Sequence, residues 1–387
     1  MTIELAKEGF RAAPSHDERV FEAAKLFGEG RNPANRSRQS TLMEAFTTSD
    51  FPKLLGAAFE KEAMGAQKDA VKEYELFAFQ KNLPDFRPKK MVDLFGNEYF
   101  EDVKEGAEYK GGKLAETDVE IKTGKTGKSY GLTWELQLSR DFSDLADFPK
   151  VLGNAAVNTE NKKVFEVLVG KNGLNTSFFG TVDTKPLTAE NLIAAIETLA
   201  LKENHRKELV DISTLVLVVG PGMQMRAQQI LNADKITRKA DDGAGNTITT
   251  EESNPFRGLI QLQVSREFVN LNGASTKHTS WALLPGKATS NPAVVKTGLI
   301  GHENVDIRVK RDQGERVGGG AVPVEDGSFA DDTIWFRGRH VVGASKGFTA
   351  AVYGSKGALS SPGFGRGSFS CFSYAASAAV PGRAIHC

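Results

Sequence analysis

The string Gly-Lys-Thr-Gly-Lys-Ser at Gly124–Ser129 is where this sequence comes nearest to reactive chemistry. A phosphate-binding loop needs G-x-x-x-x-G-K-[ST], with a strand before it and a helix after it. Backbone N–H groups and the lysine then cradle phosphate oxygens. Gly127, Lys128 and Ser129 supply the end of that pattern, but the position of the first glycine holds Lys122. The next residues, YGLTWELQL, alternate like a strand and open no helix. A charged turn is the better reading, and a phosphate-binding enzyme using Gly127-Lys128-Ser129 stays only as an alternative.

Other reactive side chains are scattered. The histidines are His16, His205, His278, His302, His340 and His386, and no two stand at the short spacing of a local metal-ligand pair. The two cysteines, Cys371 and Cys387, sit in a Gly/Ser/Ala-rich tail, which argues against a disulfide framework or a cysteine-rich metal site. Asp141, Asp144 and Asp147 in SRDFSDLADFP lack the glycine and terminal glutamate of a calcium loop. They read instead as acids at the positive end of a helix. No catalytic residue, metal or cofactor is expected.

Bulk properties narrow the class. The 49 basic residues balance the 49 acidic ones, so no strong overall field draws the chain to nucleic acid or to an anionic membrane. No run of apolar residues is long enough to span a bilayer, and the N-terminus lacks a signal peptide's apolar stretch. The cytosol is the default compartment.

Several elements must position whatever work is done. Residues 1–48 mix short helical pieces with the polar, basic stretch GRNPANRSRQST and read as an arm or linker, and 50–80 as one or two helices. LPDFRPKK at Leu83–Lys90 carries two prolines and is extended or turning. From Met91 to Leu138 the charged, alternating, glycine-punctuated pattern predicts strands, with KGGK at Lys110–Lys113 as a hairpin tip. Apolar residues from Phe148 to Leu168 recur at helical spacing and predict the longest helix, over Asp147–Gly170. A second helix is expected over Thr188–Glu203. A buried strand at Thr214–Val219 should run through Gly-Pro-Gly into another helix. NADKITRKADDGAGNTITTEESNPFRG is expected to be a mobile loop. Strands are expected at Leu259–Val264, Ser280–Leu284, Val305–Lys310 and Thr333–Val342, and residues 352–387 as a peripheral tail. The fold class is α+β.

Asp-Phe-Pro-Lys occurs twice, at Asp50–Lys53 and Asp147–Lys150. Each copy reads as a helix start, with the aspartate as N-cap and the proline in the first turn, where its missing N–H is harmless. The segments after the two copies differ completely, so domain duplication is not implied. Basic residues in RVKRD (Arg308–Asp312) and WFRGRHVV (Trp335–Val342) suit salt bridges between subunits better than nucleic-acid contact. Tyr99, Phe100 and Tyr109, on an exposed hairpin, need a partner surface.

The order of these pieces resembles the major capsid proteins of tailed bacteriophages. It is most similar to the Mu-like major head subunits and to the capsid part of protease–capsid fusions. The residues that carry the resemblance are SDFPKLLG (Ser49–Gly56), LPDFRPKKMVDL (Leu83–Leu94), VKEGAEYKGGKL (Val103–Leu114), YGLTWELQLSRDFSDLADFPKVLGNAA (Tyr130–Ala156), SWALLPG (Ser280–Gly286) and VDIRVKRDQG (Val305–Gly314). It spans residues 45–342.

The resemblance implies an HK97-like capsid fold. Residues 1–48 would be the N-terminal arm, 49–96 the arm helix and start of the peripheral domain, and 97–128 an extended β-hairpin loop. Residues 129–184 would be the peripheral domain with a spine helix at 147–170, and 185–300 the axial domain. Return strands at 301–350 and a Gly/Ser/Ala-rich tail at 351–387 complete the chain. The function implied is a non-enzymatic subunit that self-assembles, as hexamers and pentamers, into an icosahedral head around double-stranded DNA. A scaffold protein, a prohead protease and the portal are the further partners, with no membrane. The location is the virion capsid, and the host cytoplasm during assembly. Tyr99, Phe100, Tyr109, Lys110, Lys113, Arg308, Lys310 and Arg311 would be assembly contacts. Lys110 and Lys113 sit where some relatives crosslink, but no acceptor is identified and no crosslink is expected. An encapsulin-like protein compartment is the alternative shell.

Overall fold

The computed structural model describes residues 16–30, 41, 51–92, 102–106, 108, 116–133, 142–204, 207, 209–241, 247–256, 258–289, 292–315, 317–320, 322 and 327–357. Helices α1 (His16–Gly30) and α2 (Phe51–Asp69) precede strands β1 (Ala78–Leu83), β2 (Lys89–Val92), β3 (Glu116–Ile121) and β4 (Lys125–Leu132). The long helix α3 (Phe142–Leu168) leads into β5 (Val169–Gly170), β6 (Gly173–Leu174), the single turn α4 (Thr176–Phe179), β7 (Val182–Asp183) and α5 (Ala189–Ala200). Strand β8 (Leu215–Val219) passes through a 3-10 turn at Pro221–Met223 into α6 (Gln224–Asn232). Then come β9 (Lys235–Asp241), β10 (Thr247–Ser253), β11 (Ile260–Val264), the short α7 (Glu267–Asn270), β12 (Trp281–Pro285) and β13 (Val294–Leu299). The closing strands are β14 (Asp306–Val309), β15 (Ile334–Val341), β16 (Gly343–Lys346) and β17 (Tyr353–Ser355).

The continuous apolar run of β8, LVLVV, is the signature of a strand buried on both faces. Leu215, Leu217 and Val219 pack with Leu192, Ala195 and Leu199 of α5 and Leu231 of α6. Val216 and Val218 pack on the opposite side with Val164, Phe165 and Leu168 of α3. The sheet between these layers has the order β11-β8-β12-β17-β7. Trp281 anchors it, fully buried, with Nε1 donating to the Lys185 carbonyl at 3.0 Å. Two smaller sheets, β1-β13-β16 and β14-β15-β4, lie beside the rest of α3. At Gly338 a Cβ would fall 2.9 Å from Leu152, so β15 rides close over the helix. At Gly153 it would fall 2.4 Å from the Ala63 carbonyl, so the missing side chain lets the backbones of α2 and α3 approach closely. Among the described residues no helix is long and apolar enough to cross a membrane.

The α+β class, the strand-turn-helix at β8–α6 and the later strands agree with expectation. Other expectations need correction. Helix α3 begins at Phe142, not Asp147, so Asp147 is no N-cap and Pro149 is inside the helix. Asp144 then falls in the first turn, where a negative charge is favoured. Helix α2 starts at Phe51 with Pro52 in the first turn, and Asp50, expected as its N-cap, lies outside the described residues. The second helix is shorter than expected and starts from Thr188, whose hydroxyl accepts from the Asn191 N–H at 3.2 Å. Gly124–Ser129 is not a turn. Residues 125–129 are in β4, paired antiparallel with β15, with Gly127 opposite Arg339 and Lys128 opposite Gly338. A phosphate cradle needs N–H groups converging ahead of a helix, whereas an extended strand points them alternately to opposite sides and β4 runs on to Leu132 with no helix after Ser129.

The polar segment after α6 is a hairpin rather than a mobile loop, because ITRKA and TITTEE have the β-branched content of strands and pair over seven positions. Residues 351–357 are not a peripheral tail. Strand β17 inserts between β12 and β7, with Val352 and Ser355 fully buried, because a small residue fits there. A Cβ on Gly354 would fall 2.8 Å from Phe179. Strand β13, expected in the axial lobe, pairs with β1 and β16 instead. The charged hairpin pairs β2 with β3, starting at Lys89–Ile121, whereas residues 125–128 belong to β4. Its KGGK tip, His205, and residues 358–387 with both cysteines lie outside the described residues.

Candidate functional site: a buried ionic hub on the long helix and a basic sheet face

The buried stripe of α3 is not wholly apolar. Between Val157 and Val164 it carries Glu160 and Asn161, both buried. Helical spacing puts them on the same face as Leu168 and Phe165. A carboxylate there requires partners, since an isolated buried charge is far too costly.

Three segments supply them. Lys296 of β13 donates from Nζ to Glu160 Oε2 at 2.7 Å and to the Tyr74 hydroxyl at 2.8 Å. Tyr74, in the link between α2 and β1, donates its own hydroxyl to the same Oε2. His340 of β15 places Nε2 at 2.8 Å from Oε1. Its Nδ1 is buried with no partner among the described residues. The carboxylate can only accept, so Nε2 is the donor in the contact with Oε1. The Lys296 ammonium also stands 5.0 Å from the centre of the Tyr74 ring, in cation–π range.

Electrostatics follow from this geometry. Burial raises the Glu160 carboxyl, but the His340 hydrogen bond, the Lys296 charge and the remaining hydrogen bonds outweigh it and hold the group down at about 2. Burial and the Glu160 charge push the Tyr74 hydroxyl up. Burial lowers Lys296, against the pull of Glu160.

The neighbouring residues extend the joint. The Glu73 N–H donates to Asn161 Oδ1 at 3.0 Å, and Asn161 Nδ2 donates to the Val71 carbonyl at 3.1 Å. Glu73 then accepts from the Ser265 hydroxyl at 2.5 Å and the Glu267 N–H at 3.3 Å, at the start of α7. Phe77, Phe165 and Phe268 meet edge to face within the same core. One turn of α3 therefore fastens the α2–β1 link directly to β13 and β15, and through Glu73 to α7. The side chains of Lys296, Glu160 and His340 are only 9%, 4% and 6% exposed, so no outside molecule reaches them. Chemically the hub is a clamp.

The opposite face of β15 is different. Register puts Arg337 beside Arg308, and Arg339 beside Asp306. Arg308 Nε lies 3.1 Å from Asp306 Oδ2, and Arg339 pairs with the same oxygen. Partial burial raises the Asp306 carboxyl, but the Arg308 hydrogen bond and the charges of Arg339, Arg308 and Arg337 hold it below its ordinary value. One carboxylate thus pairs with two guanidinium groups and feels the charge of a third.

Of the residues expected to make assembly contacts, Arg308, Lys310 and Arg311 are exposed on or just beyond β14. Lys310 already pairs with Asp312 in its own chain. Tyr99, Phe100, Tyr109, Lys110 and Lys113 lie outside the described residues. Sequence reasoning missed the hub, although two adjacent polar residues on an apolar helical stripe were its signal. It also passed over Gly-Lys-Ser-Tyr-Gly at Gly127–Gly131, which has the spacing of a nucleophile elbow. That motif requires a sharp strand-to-helix turn, and these five residues are all in β4. Among the described residues no cluster of three or more His, Cys, Asp or Glu side chains could hold a metal.

A family model described as phage capsid protein matches residues 116–354. No curated protein matches the chain. Among solved structures, the virus-like particle from Pyrococcus furiosus is 9% identical, with 77% of this chain and 97% of that one covered at a TM-score of 0.40. The capsid of the cyanophage P-SCSP1u is 12% identical, with 75% and 89% covered at 0.40. The mature capsid of bacteriophage PhiM1 is 10% identical, with 75% and 87% covered at 0.40.

Proposed function

This chain belongs to the phage capsid protein family, and from that premise we propose that it builds the closed icosahedral head of a tailed bacteriophage around double-stranded DNA. The observation that carries the reading is the family match over residues 116–354, a span that takes in the hub helix, the central sheet and the basic face. In this reading copies join as hexamers and pentamers, and many modest contacts repeated over the shell give it stability. The segment between β2 and β3, with Tyr99, Phe100, Tyr109, Lys110 and Lys113, crosses onto a neighbouring subunit. The region around the central sheet faces the symmetry axes, and α3 is the spine of a peripheral domain in an HK97-like arrangement. In this reading the head is of the Mu-like type. A scaffold protein, a prohead protease and the portal act during assembly in the host cytoplasm.

The hub suits this role. A shell subunit must hold its helices and sheets as one body while neighbours pull on it, and a clamp at the crossing point does that without any reactive cleft. The test is expression of the full chain, alone and with its phage neighbours, followed by electron microscopy, light scattering and nuclease treatment. Closed particles protecting DNA are expected. Particles filled with protein cargo instead would favour a compartment shell, and no particle under any of these conditions would sink the reading.

A further inference from the structure

The β9–β10 hairpin presents two unlike edges. No other named strand pairs with either β9 or β10, so each has one open side among the described strands. An open edge is a template for another strand. Strand β9, KITRKAD, carries three bases and one acid, while β10, TITTEES, carries two acids and no base. In the backbone register no base of β9 stands opposite an acid of β10. Within it Arg238 stands opposite Thr250, Lys239 opposite Thr249, Glu251 opposite Thr237 and Glu252 opposite Ile236. The β10 edge also has none of the usual protections: no lysine, no proline and no register break. The base is fixed to the body. Buried Asn254 donates from Nδ2 to the carbonyls of Ile230 and Ala233, each at 2.8 Å.

We propose that the β9 edge of one copy adds to the β10 edge of the next, joining neighbouring subunits of a ring by strand pairing; this rests on the shell reading above. Like edges would oppose like charges, which disfavours a two-fold pairing and leaves the head-to-tail contact that closes into rings. Rotational symmetry points every hairpin the same way, so β9 and the neighbour's β10 run antiparallel. Tilted strands around an axis pair with a stagger, and an even shift keeps side chains on their faces. Inside the hairpin 238 faces 250. A shift of about two residues would put Arg238 opposite the neighbouring copy's Glu252 and Lys239 opposite its Glu251.

The test uses the full chain in two edge-reversed forms. Arg238→Glu with Lys239→Glu makes both edges acidic, and Glu251→Lys with Glu252→Lys makes both basic. Each form alone should stay folded by circular dichroism and fail to form particles. Their equimolar mixture should recover six-membered rings, in which the two forms alternate, whereas a five-membered ring must keep one like-charged contact. Because each hairpin keeps its own like charges, recovery reports only contact between copies. Normal assembly of either form alone overturns the proposal, as does a folded pair that stays inert on mixing. Should the reversals unfold, the milder Glu251→Gln with Glu252→Gln is expected to raise the concentration threshold for assembly several-fold and to weaken its salt dependence. An unchanged threshold overturns the proposal. A wild-type chain that never assembles would instead count against the shell reading.

Discussion

Strand β15 serves two carboxylates that live very differently. His340 reaches inward to Glu160, while the preceding residue, Arg339, reaches outward to Asp306. Strand alternation alone separates them. Inward, one anion meets one cation, a hydroxyl and an imidazole, and the hydrogen-bonding capacity of the carboxylate is used within the chain. Outward, one anion pairs with two guanidinium groups and feels the charge of a third, all of them nearer solvent. Similar chemistry therefore does opposite work. Burial turns the first cluster into a fastening, and exposure leaves the second weak in stability but available to a neighbour.

The largest effect should come from breaking the inward cluster. Glu160→Ala strands the Lys296 ammonium in the core and should cost about 3–5 kcal/mol, read as a lower urea midpoint of the unassembled subunit. Lys296→Met alone leaves Glu160 without its cation and should cost nearly as much. The double variant Glu160→Ala with Lys296→Met should lose much less than the two single losses added, because the charge pair is removed together. Losses that simply add would mean that the two residues do not act as a pair.

Acid should separate the two clusters next. The Glu160 carboxyl is depressed from 4.5 to about 2, so its stabilisation is complete above 4.5 and is lost as pH falls through that window. Urea midpoints of the wild type should drop steeply there, and those of Glu160→Gln, already low, should fall much less. Asp306 is also depressed, with the same sign, but solvent screens it. A Glu160→Gln curve parallel to the wild type would show that the hub does not set the acid limit.

The contrast also explains what could be read from sequence. Strand β8 announced itself, because LVLVV suits a strand covered on both faces. Strand β15 was visible too, since its alternation survives in WFRGRHVV. The start of α3 was hidden, because Asp-Phe-Pro-Lys opens α2 and yet lies inside α3, and nothing local separates the two copies. Strand β17 was hidden by its composition. Tyr-Gly-Ser gains its place from Phe179, Leu174 and Trp281, residues distant in sequence that only the fold brings near. The hub was half legible. Glu160 and Asn161 interrupt an apolar stripe, but nothing near them in sequence identifies Tyr74, Lys296 and His340 as their partners.

The smallest effect on stability should come from the outward cluster. Asp306→Asn removes the one carboxylate shared by Arg308 and Arg339, yet exposed pairs of this kind contribute no more than about 1 kcal/mol. The subunit's urea midpoint should therefore move little, and added salt should erase the difference. Arg308→Ala with Arg337→Ala should be similarly quiet in the isolated subunit. If these arginines work between subunits, this pair should instead lower the yield of particles at low ionic strength, where wild-type attraction is least screened. The two proteins should converge as salt rises. A double variant that unfolds as readily as Glu160→Ala would erase the distinction between the faces of β15. One that assembles like the wild type at every salt concentration would assign these arginines to no contact in the shell.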